Sequence, residues 1–351
     1  MLKTSISLNN SLIIIFSILS IAYSINIEVF AEIFWTDSEF TAEKANLVSE
    51  QQIEKYNRDQ LENNGNIIKI EPLEYMSKKY KLDHKFGQGA MGATYDGIDV
   101  LTGGKVAIKQ QSFTESALKE VNSLERAKRN HCYDVVELYE VVYDREHNQL
   151  YIVMERIAGE NFNNIVGQIK ESKDNEQYLA KFKKIWKTEH EFIKTVVEPI
   201  IRGMRCLHNA NIVHNDFKSD NVIYDKDKKV TKIIDLGLSF LMDAERPDLR
   251  RPWPMPGYPP ELNYPNDYKN PPKADDKEVG IYKDIWSVGE TLYQILFGKE
   301  EQVPEKYSDY KSVDLSSLPN DFKDIGIIIH SFMETDYHKR KEAWDNLKID
   351  H

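Results

Sequence analysis

KFGQGAMGATYDGIDVLTGGKVAIKQQ, residues 85–111, sets three glycines at Gly87-x-Gly89-x-x-Gly92. The same spacing marks dinucleotide-binding loops, in which the glycines open a helix. Here the next residues are ATYDGIDV and GKVAIK, rich in Thr, Tyr, Val and Ile and split by LTGGK. That is the pattern of a hairpin, so the glycines fall in a turn between two strands and a third strand follows. Glycine permits close backbone approach, which lets amide N–H groups reach phosphate oxygens. Lys109 ends the third strand, 17 residues after Gly92. Strand alternation puts Val106 and Ile108 on one face, and Ala107 and Lys109 on the other, under the glycine loop. Taken alone, these features also fit a plain hairpin with a solvated lysine.

Downstream, ESALKEVNSLERAKR (115–129) has Leu118, Val121 and Leu124 at helical spacing. Glu120 lies one turn before Leu124, at the edge of that face. It can pair with Lys109, or it can be an ordinary solvated acid. A second dense stretch is HNDFKSDNVIYDKDKKVTKIIDLG, residues 214–237, with five Asp and two Asn. Acids and amides so close together read either as a solvated hairpin or as a metal–phosphate site. Asp225 and Asp227 read as a polar turn between two strands.

The glycine loop with VAIK, the run His214-Asn215-Asp216-Phe217-Lys218-Ser219-Asp220-Asn221, and Asp235-Leu236-Gly237 occur in that order. The set resembles the protein kinase family, defined by a Gly-rich loop, V-A-I-K, H-R-D-L-x-x-x-N and D-F-G. LYIVMERIAG (150–159) looks like the strand and hinge between lobes, with Met154 as gatekeeper and Glu155 to Ile157 as hinge. PPEL (259–262) stands where the family has A-P-E. KDIWSVGETLYQILFG (283–298) looks like the buried large-lobe helix whose Asp284 braces the catalytic loop. Arg340 is placed like the family's Arg that pairs with the Glu of this motif, here Glu261.

The resemblance implies an α+β fold of two lobes. A small lobe (80–154) would hold an antiparallel sheet of about five strands and one helix. A hinge (155–161) would lead to a larger, mainly helical lobe (162–348). It implies ATP with Mg²⁺, or Mn²⁺ in its place, as cofactors, and a protein substrate. Asp216 would be the catalytic base, Lys218 would neutralise charge on the moving phosphoryl group, and Lys109, steadied by Glu120, would hold the α- and β-phosphates. Asn221 and Asp235 would be the metal ligands, offering the hard oxygens that Mg²⁺ prefers. The nucleotide would sit against Phe86, Gly87, Gln88, Gly89, Ala90, Met91, Gly92, Ala93, Thr94, Ala107, Lys109, Met154, Glu155 and Ile157.

Several residues depart from the family pattern. Asn215 replaces the Arg that reads a phosphorylated activation loop. Between Ser239 and Glu261 only Ser239 and Tyr258 carry hydroxyls, so activity without loop phosphorylation is expected. Lys218 fits the Ser/Thr type. Leu236 replaces Phe, and Thr94 stands where Val usually covers the adenine. The interval from Lys109 to the helix acid is short, which leaves Glu125 as a rival to Glu120. Pro199 should bend its helix or mark the first turn. The charged stretch from Lys170 to His190 reads as a solvated insertion. Two alternatives remain open: a non-catalytic pseudokinase scaffold, and a small-molecule kinase of the aminoglycoside phosphotransferase type.

The 351 residues carry a net charge of −11, which argues against general nucleic-acid binding. The two cysteines, Cys132 and Cys206, sit in apolar-periodic contexts and read as buried free thiols. At the N-terminus, Lys3 precedes an apolar run from about Leu12 to Ala22, with small residues at Ala22 and Ser24. Residues 1–24 therefore read as a secretory signal, implying a secretory-pathway or secreted protein, or else as an uncleaved membrane anchor. Residues 25–79 form an extension, read as a packed helix or a spacer. Thr36 or Ser38 would cap that helix.

Overall fold

The computed structural model describes residues 70–72, 78–89, 92–170, 175–243, 249, 257–268, 271–273, 278–298, 313, 315, 318 and 322–349. The signal segment, the helix caps at Thr36 and Ser38, and the loop residues Ala90 and Met91 lie outside them. Among the described residues no helix is long and apolar enough to cross a membrane.

The small lobe is a six-stranded sheet and one helix. Its strands are β1 (Ile70–Pro72), β2 (Tyr80–Gly89), β3 (Gly92–Asp99), β4 (Lys105–Ser112), β5 (Leu138–Asp144) and β6 (Gln149–Glu155), in the order β1-β5-β6-β4-β3-β2. Five strands pair antiparallel, as expected. The sixth, β1, comes from the extension and pairs parallel to β5, with Ile70 opposite Val141. Its edge position explains why Pro72 is tolerated in a strand, since an edge leaves one side of the backbone unpaired. Val106 and Ile108 pack with Tyr80, Val142 and Val153 on one face of the sheet. Helix α1 (Glu115–Arg129) covers the other face with Ala117, Val121 and Leu124. Thr114 caps α1, its side chain accepting from Ala117 N at 3.2 Å. Glu115 and the closing Arg126, Lys128 and Arg129 complement the helix dipole.

The large lobe begins with β7 (Glu160–Asn161), α2 (Phe162–Lys170) and α3 (Asn175–Ile185). The stretch from Lys170 to His190 is not simply a solvated insertion. Tyr178, Phe182 and Trp186 recur every fourth residue and are buried; Trp186 stacks on Phe162 and packs tilted against Tyr224, and Phe182 meets Phe192 edge-on. On the same helix Lys184 is exposed, whereas Lys181 and Lys183 are half-buried.

Next come α4 (Glu189–Phe192), a π-helical turn (Ile193–Val197) and α5 (Glu198–Asn209). Pro199 falls in the first turn of α5, one of the two outcomes expected of it. The π turn directly precedes it, and the Thr195 carbonyl, which residue 199 would normally bond, accepts from Thr231 Oγ1 at 2.6 Å. Two small sheets follow. One joins β7 to the hairpin β9 (Val222–Asp225) and β10 (Val230–Ile233), and the other pairs β8 (Ile212–Val213) with β11 (Phe240–Leu241). The lobe closes with α6 (Pro260–Asn263), α7 (Val279–Phe297), α8 (Lys323–Phe332) and α9 (Tyr337–Asn346). Glu261 of α6 and Arg340 of α9 form a fully buried ion pair.

Cys132 and Cys206 are disulfide-bonded, not free thiols. The chain turns back after α1 through His131 (φ 57°), which brings Cys132 to 5.5 Å, Cα to Cα, from Cys206 on α5. That separation is within disulfide reach. The bond ties the end of the small-lobe helix to the large lobe.

Candidate active site

The site is assembled where the two lobes face each other. Register across the small-lobe sheet puts Gly87 opposite Thr94, Thr94 opposite Lys109, and Lys109 opposite Ile152. The glycine loop thus overlies the lysine directly, as the tip of the β2–β3 hairpin. Gly89 pairs with Gly92, and Gln88 Nε2 reaches Gly92 O at 3.3 Å. A Cβ on Gly92 would lie 2.0 Å from the Gln110 carbonyl, so only glycine lets the hairpin pack this closely on β4. Ala93 pairs with Gln110. One row along, Ala107 faces Met154, and the hinge continues through Glu155 to buried Ile157. Glu155 is fixed by Lys232 Nζ at 2.9 Å. Arg156 between them pairs with Asp96 and lies 4.3 Å over the ring of Phe86, closing the outer edge of the loop against the hinge.

Lys109 Nζ donates to Glu120 Oε1 at 2.7 Å and to Asp235 Oδ1 at 3.1 Å. Glu120 is the partner; its rival Glu125 turns away and pairs with Arg129. Gln111 Nε2 holds the second Glu120 oxygen at 2.9 Å. Burial works against the lysine charge, but the two carboxylates outweigh it and raise its pKa above the ordinary value. Partial loss of solvent pushes Asp235 up, while the Lys109 charge and the Gly237 N–H together hold it below the usual carboxylate range. A side chain on Gly237 would meet Asp235 Oδ1 at 3.0 Å and crowd the Lys109–Glu120 pair.

The stretch 214–237 folds as the β9–β10 hairpin with its two charged ends brought together. Val222 pairs with Ile233, and Ile234 N donates to Asn221 O at 2.8 Å, so Asn221 and Asp235 become neighbours. The turn is closed by Asp225 Oδ1, which accepts from Asp227 N and Lys228 N. Asn221 Nδ2 donates to Asp216 O at 2.8 Å, which fixes the amide and leaves Oδ1 as its free hard oxygen. Lys218 Nζ donates to Asp216 Oδ2 at 2.8 Å. Asn215 and Asp235 both have left-handed backbone, φ 65° and 62°. Such conformations cost about 1–3 kcal/mol and persist only where surroundings impose them.

Here the surroundings are α7 and α5. Buried Asp284 accepts from His214 N at 2.8 Å, Asn215 N at 2.9 Å and His208 Nε2 at 3.0 Å. Burial pushes Asp284 up, but the His208 hydrogen bond and nearby positive groups bring it below the usual range. His208, Gln111, Arg156 and Lys283 do not stand out in the sequence, because their roles depend on side-chain reach between elements.

Among the described residues no group of three or more His, Cys, Asp or Glu gathers as a dedicated metal cage. Asn221 and Asp235 carry the hard oxygens that would suit Mg²⁺, whose remaining positions waters and phosphate oxygens would fill.

Residues 80–342 match the protein kinase domain, three-quarters of the chain. The chain belongs to the protein kinase domain family. Relatives are modestly similar. Serine/threonine-protein kinase pak-1 of Caenorhabditis elegans is 26% identical over 232 residues, 65% of this chain and 35% of that protein. Serine/threonine-protein kinase PAK 1 of Mus musculus is 27% identical over 230 residues, 65% and 37%. SNF1-related protein kinase catalytic subunit alpha KIN12 of Arabidopsis thaliana is 28% identical over 254 residues, 69% and 44%. The chain thus spans less than half the length of each of these relatives. The kinase fold accounts for both lobes.

Proposed function

We propose that this chain is an ATP- and Mg²⁺-dependent kinase that phosphorylates Ser/Thr hydroxyls of proteins and needs no phosphate on its activation segment. One observation carries the catalytic part. Lys109 is bound to both Glu120 and Asp235, while Asp216, Lys218 and Asn221 are bound to one another on the facing hairpin. A scaffold has no need of a lysine clamped between two acids, one of them on left-handed backbone. The relatives whose names include serine/threonine kinase support the acceptor class.

In this reading Asp216 orients the acceptor hydroxyl and takes its proton as the oxygen attacks the γ-phosphorus and the bond to the leaving ADP oxygen breaks. Lys218 sits beside Asp216 and stabilises charge on the phosphoryl group. Lys109 holds the α- and β-phosphates. Asn221 and Asp235 would hold Mg²⁺, which supplies neutralisation of β- and γ-phosphate charge.

Independence from loop phosphorylation is supported by the two hydroxyl residues of the segment. Ser239 is buried and donates to Leu236 O at 2.6 Å, and Tyr258 is buried beneath Lys283. Neither is placed to receive a phosphate. Arg126 of α1 holds Asp243 at 2.7 Å, an ion pair that ties the start of the segment to the small-lobe helix without a phosphate.

Passage through the secretory pathway is proposed on the apolar N-terminal segment together with the Cys132–Cys206 bond, because disulfides persist in oxidising compartments.

The test is transfer of labelled phosphate from Mg-ATP to casein by phosphatase-treated protein, with Asp216→Asn alongside. Removing the base should cost about 10²–10⁴ in turnover and leave ATP affinity unchanged. An inactive wild type that still binds ATP would favour the scaffold; transfer to aminoglycosides instead of protein would favour the small-molecule kinase.

A further inference from the structure

Lys283 stands one residue before Asp284 in the second turn of α7 and is only 2% exposed. An ammonium in such a place is costly unless its protons find acceptors. Asn215 supplies two, its backbone carbonyl and its Oδ1, the latter at 3.1 Å. Nζ also lies 4.3 Å from the centre of the Tyr258 ring, within cation–π range.

These contacts meet at a critical peptide. Asn215 is the left-handed residue immediately before Asp216. Asp284 Oδ1 takes its N–H, and Lys283 takes its C=O. Successive residues of one helix thus hold both ends of Asn215, the acid on one side and the base on the other. The Asn215 side chain bridges further, Nδ2 donating to Leu238 O at 3.0 Å. On the far side, Ser287, one turn along α7 from Lys283, donates to Gly257 O at 3.0 Å, and Asn263 Nδ2 donates to Tyr258 O at 2.8 Å. Leu238 and Tyr258 belong to the two described ends of the segment that runs from the Asp235 turn to α6. The group joining Asn215 to Tyr258 is the Lys283 ammonium.

We propose that Lys283 is a positioning residue for phosphoryl transfer, locking the Asn215 peptide that aims Asp216 and coupling it to Tyr258 at the end of the activation segment. The proposal rests on the kinase reading of Asp216. It gives that reading a physical device: a built-in cation, in place of an added phosphate, makes the catalytic loop and the segment adopt one geometry together. Lys283 touches no reacting atom, so its loss should act on turnover and not on nucleotide binding.

The experiment compares wild type, Lys283→Met, Tyr258→Leu and the double variant as unphosphorylated full-length protein. Met keeps the length and apolar volume of the stem and removes the charge. Lys283→Met should lower kcat per folded molecule by about 10- to 100-fold, the scale of a roughly 1 Å misplacement, with KM for ATP within about twofold of wild type. Tyr258→Leu should lower kcat less, and the double variant should be no worse than Lys283→Met, since both break one link. If Lys283→Met fails to fold, Tyr258→Leu decides: wild-type kcat overturns the coupling, and reduced kcat with unchanged KM supports it. A folded Lys283→Met with wild-type kcat overturns the proposal, as does a loss confined to thermal stability. Wild-type protein without kinase activity overturns the kinase reading itself, and this inference with it.

Discussion

Glu120 Oε1 lies 2.7 Å from Lys109 Nζ, although only Phe113 and Thr114 separate the strand that carries the lysine from the helix that carries the acid. The short connection is enough because α1 runs back across the same sheet face that Lys109 points from. Glu125, five residues on, is rotated by about 140° around the helix and cannot reach. Glu120→Gln should therefore lower kcat/KM by about 10- to 100-fold, the 1.5–3 kcal/mol of a hydrogen bond between charged groups. Glu125→Gln should leave kcat/KM within about twofold. Steady-state assays of both variants decide between them, and the reverse pattern would return the role to Glu125.

Asp235→Ala removes a different function. Its carboxylate is held ionised beside Lys109 and next to Asn221, so its loss leaves Asn221 as the lone hard-oxygen ligand of the pair. Phosphoryl transfer should be abolished, and Mg²⁺ should no longer tighten ATP binding. Titrating ATP by calorimetry with and without Mg²⁺ measures this. Tightening by Mg²⁺ that survives in the variant would move the metal site elsewhere.

Much of this site was legible because its partners are close in sequence or fixed by strand register. Asn221 and Asp235 flank one hairpin, and a turn of Asp and Lys between two β-branched runs is enough to bring them together. Gly87, Thr94 and Lys109 are aligned by three consecutive antiparallel strands, which alternation alone can register. What was hidden depends on distance between helices. Cys132 and Cys206 are 74 residues apart, and periodicity within either segment says nothing of their meeting. Trp186 is hidden by the dense charges around it, which obscure the four-residue spacing of Tyr178, Phe182 and Trp186. Strand β1 was missed because its three residues are too short to show alternation.

The disulfide gives a stability prediction. Closing a loop of 74 residues removes chain entropy from the unfolded state worth about 4 kcal/mol. Cys132→Ser combined with Cys206→Ser should lose most of this, a fall in melting temperature of about 10 °C. Reductant should reproduce the shift in wild type and have no effect on the double variant. Equal melting with and without reductant would show that the bond contributes nothing to stability.

The last prediction concerns pH. His214 is fully buried, its Nδ1 accepts from Asp216 N at 3.4 Å, and its Nε2 has no partner among the described residues. Burial pushes its pKa below the ordinary 6.5, against the opposing pull of Asp284, Asp235 and Asp216. In the unfolded chain the imidazole takes up a proton below about pH 6.5, whereas the folded protein leaves it neutral until the lower folded pKa is reached. Between those two values the unfolded state binds more protons, so stability falls as the pH drops. The slope from this one group is at most about 1.4 kcal/mol per pH unit. His214→Phe keeps the aromatic contact with Phe217 and has no proton to bind, so the stability difference between wild type and variant should shrink from pH 7.5 to pH 5. Urea unfolding of both proteins across that range isolates His214, because every other titrating group cancels in the difference. A difference that stays constant with pH would mean that His214 titrates alike in the folded and unfolded states, and its burial would then carry no charge penalty.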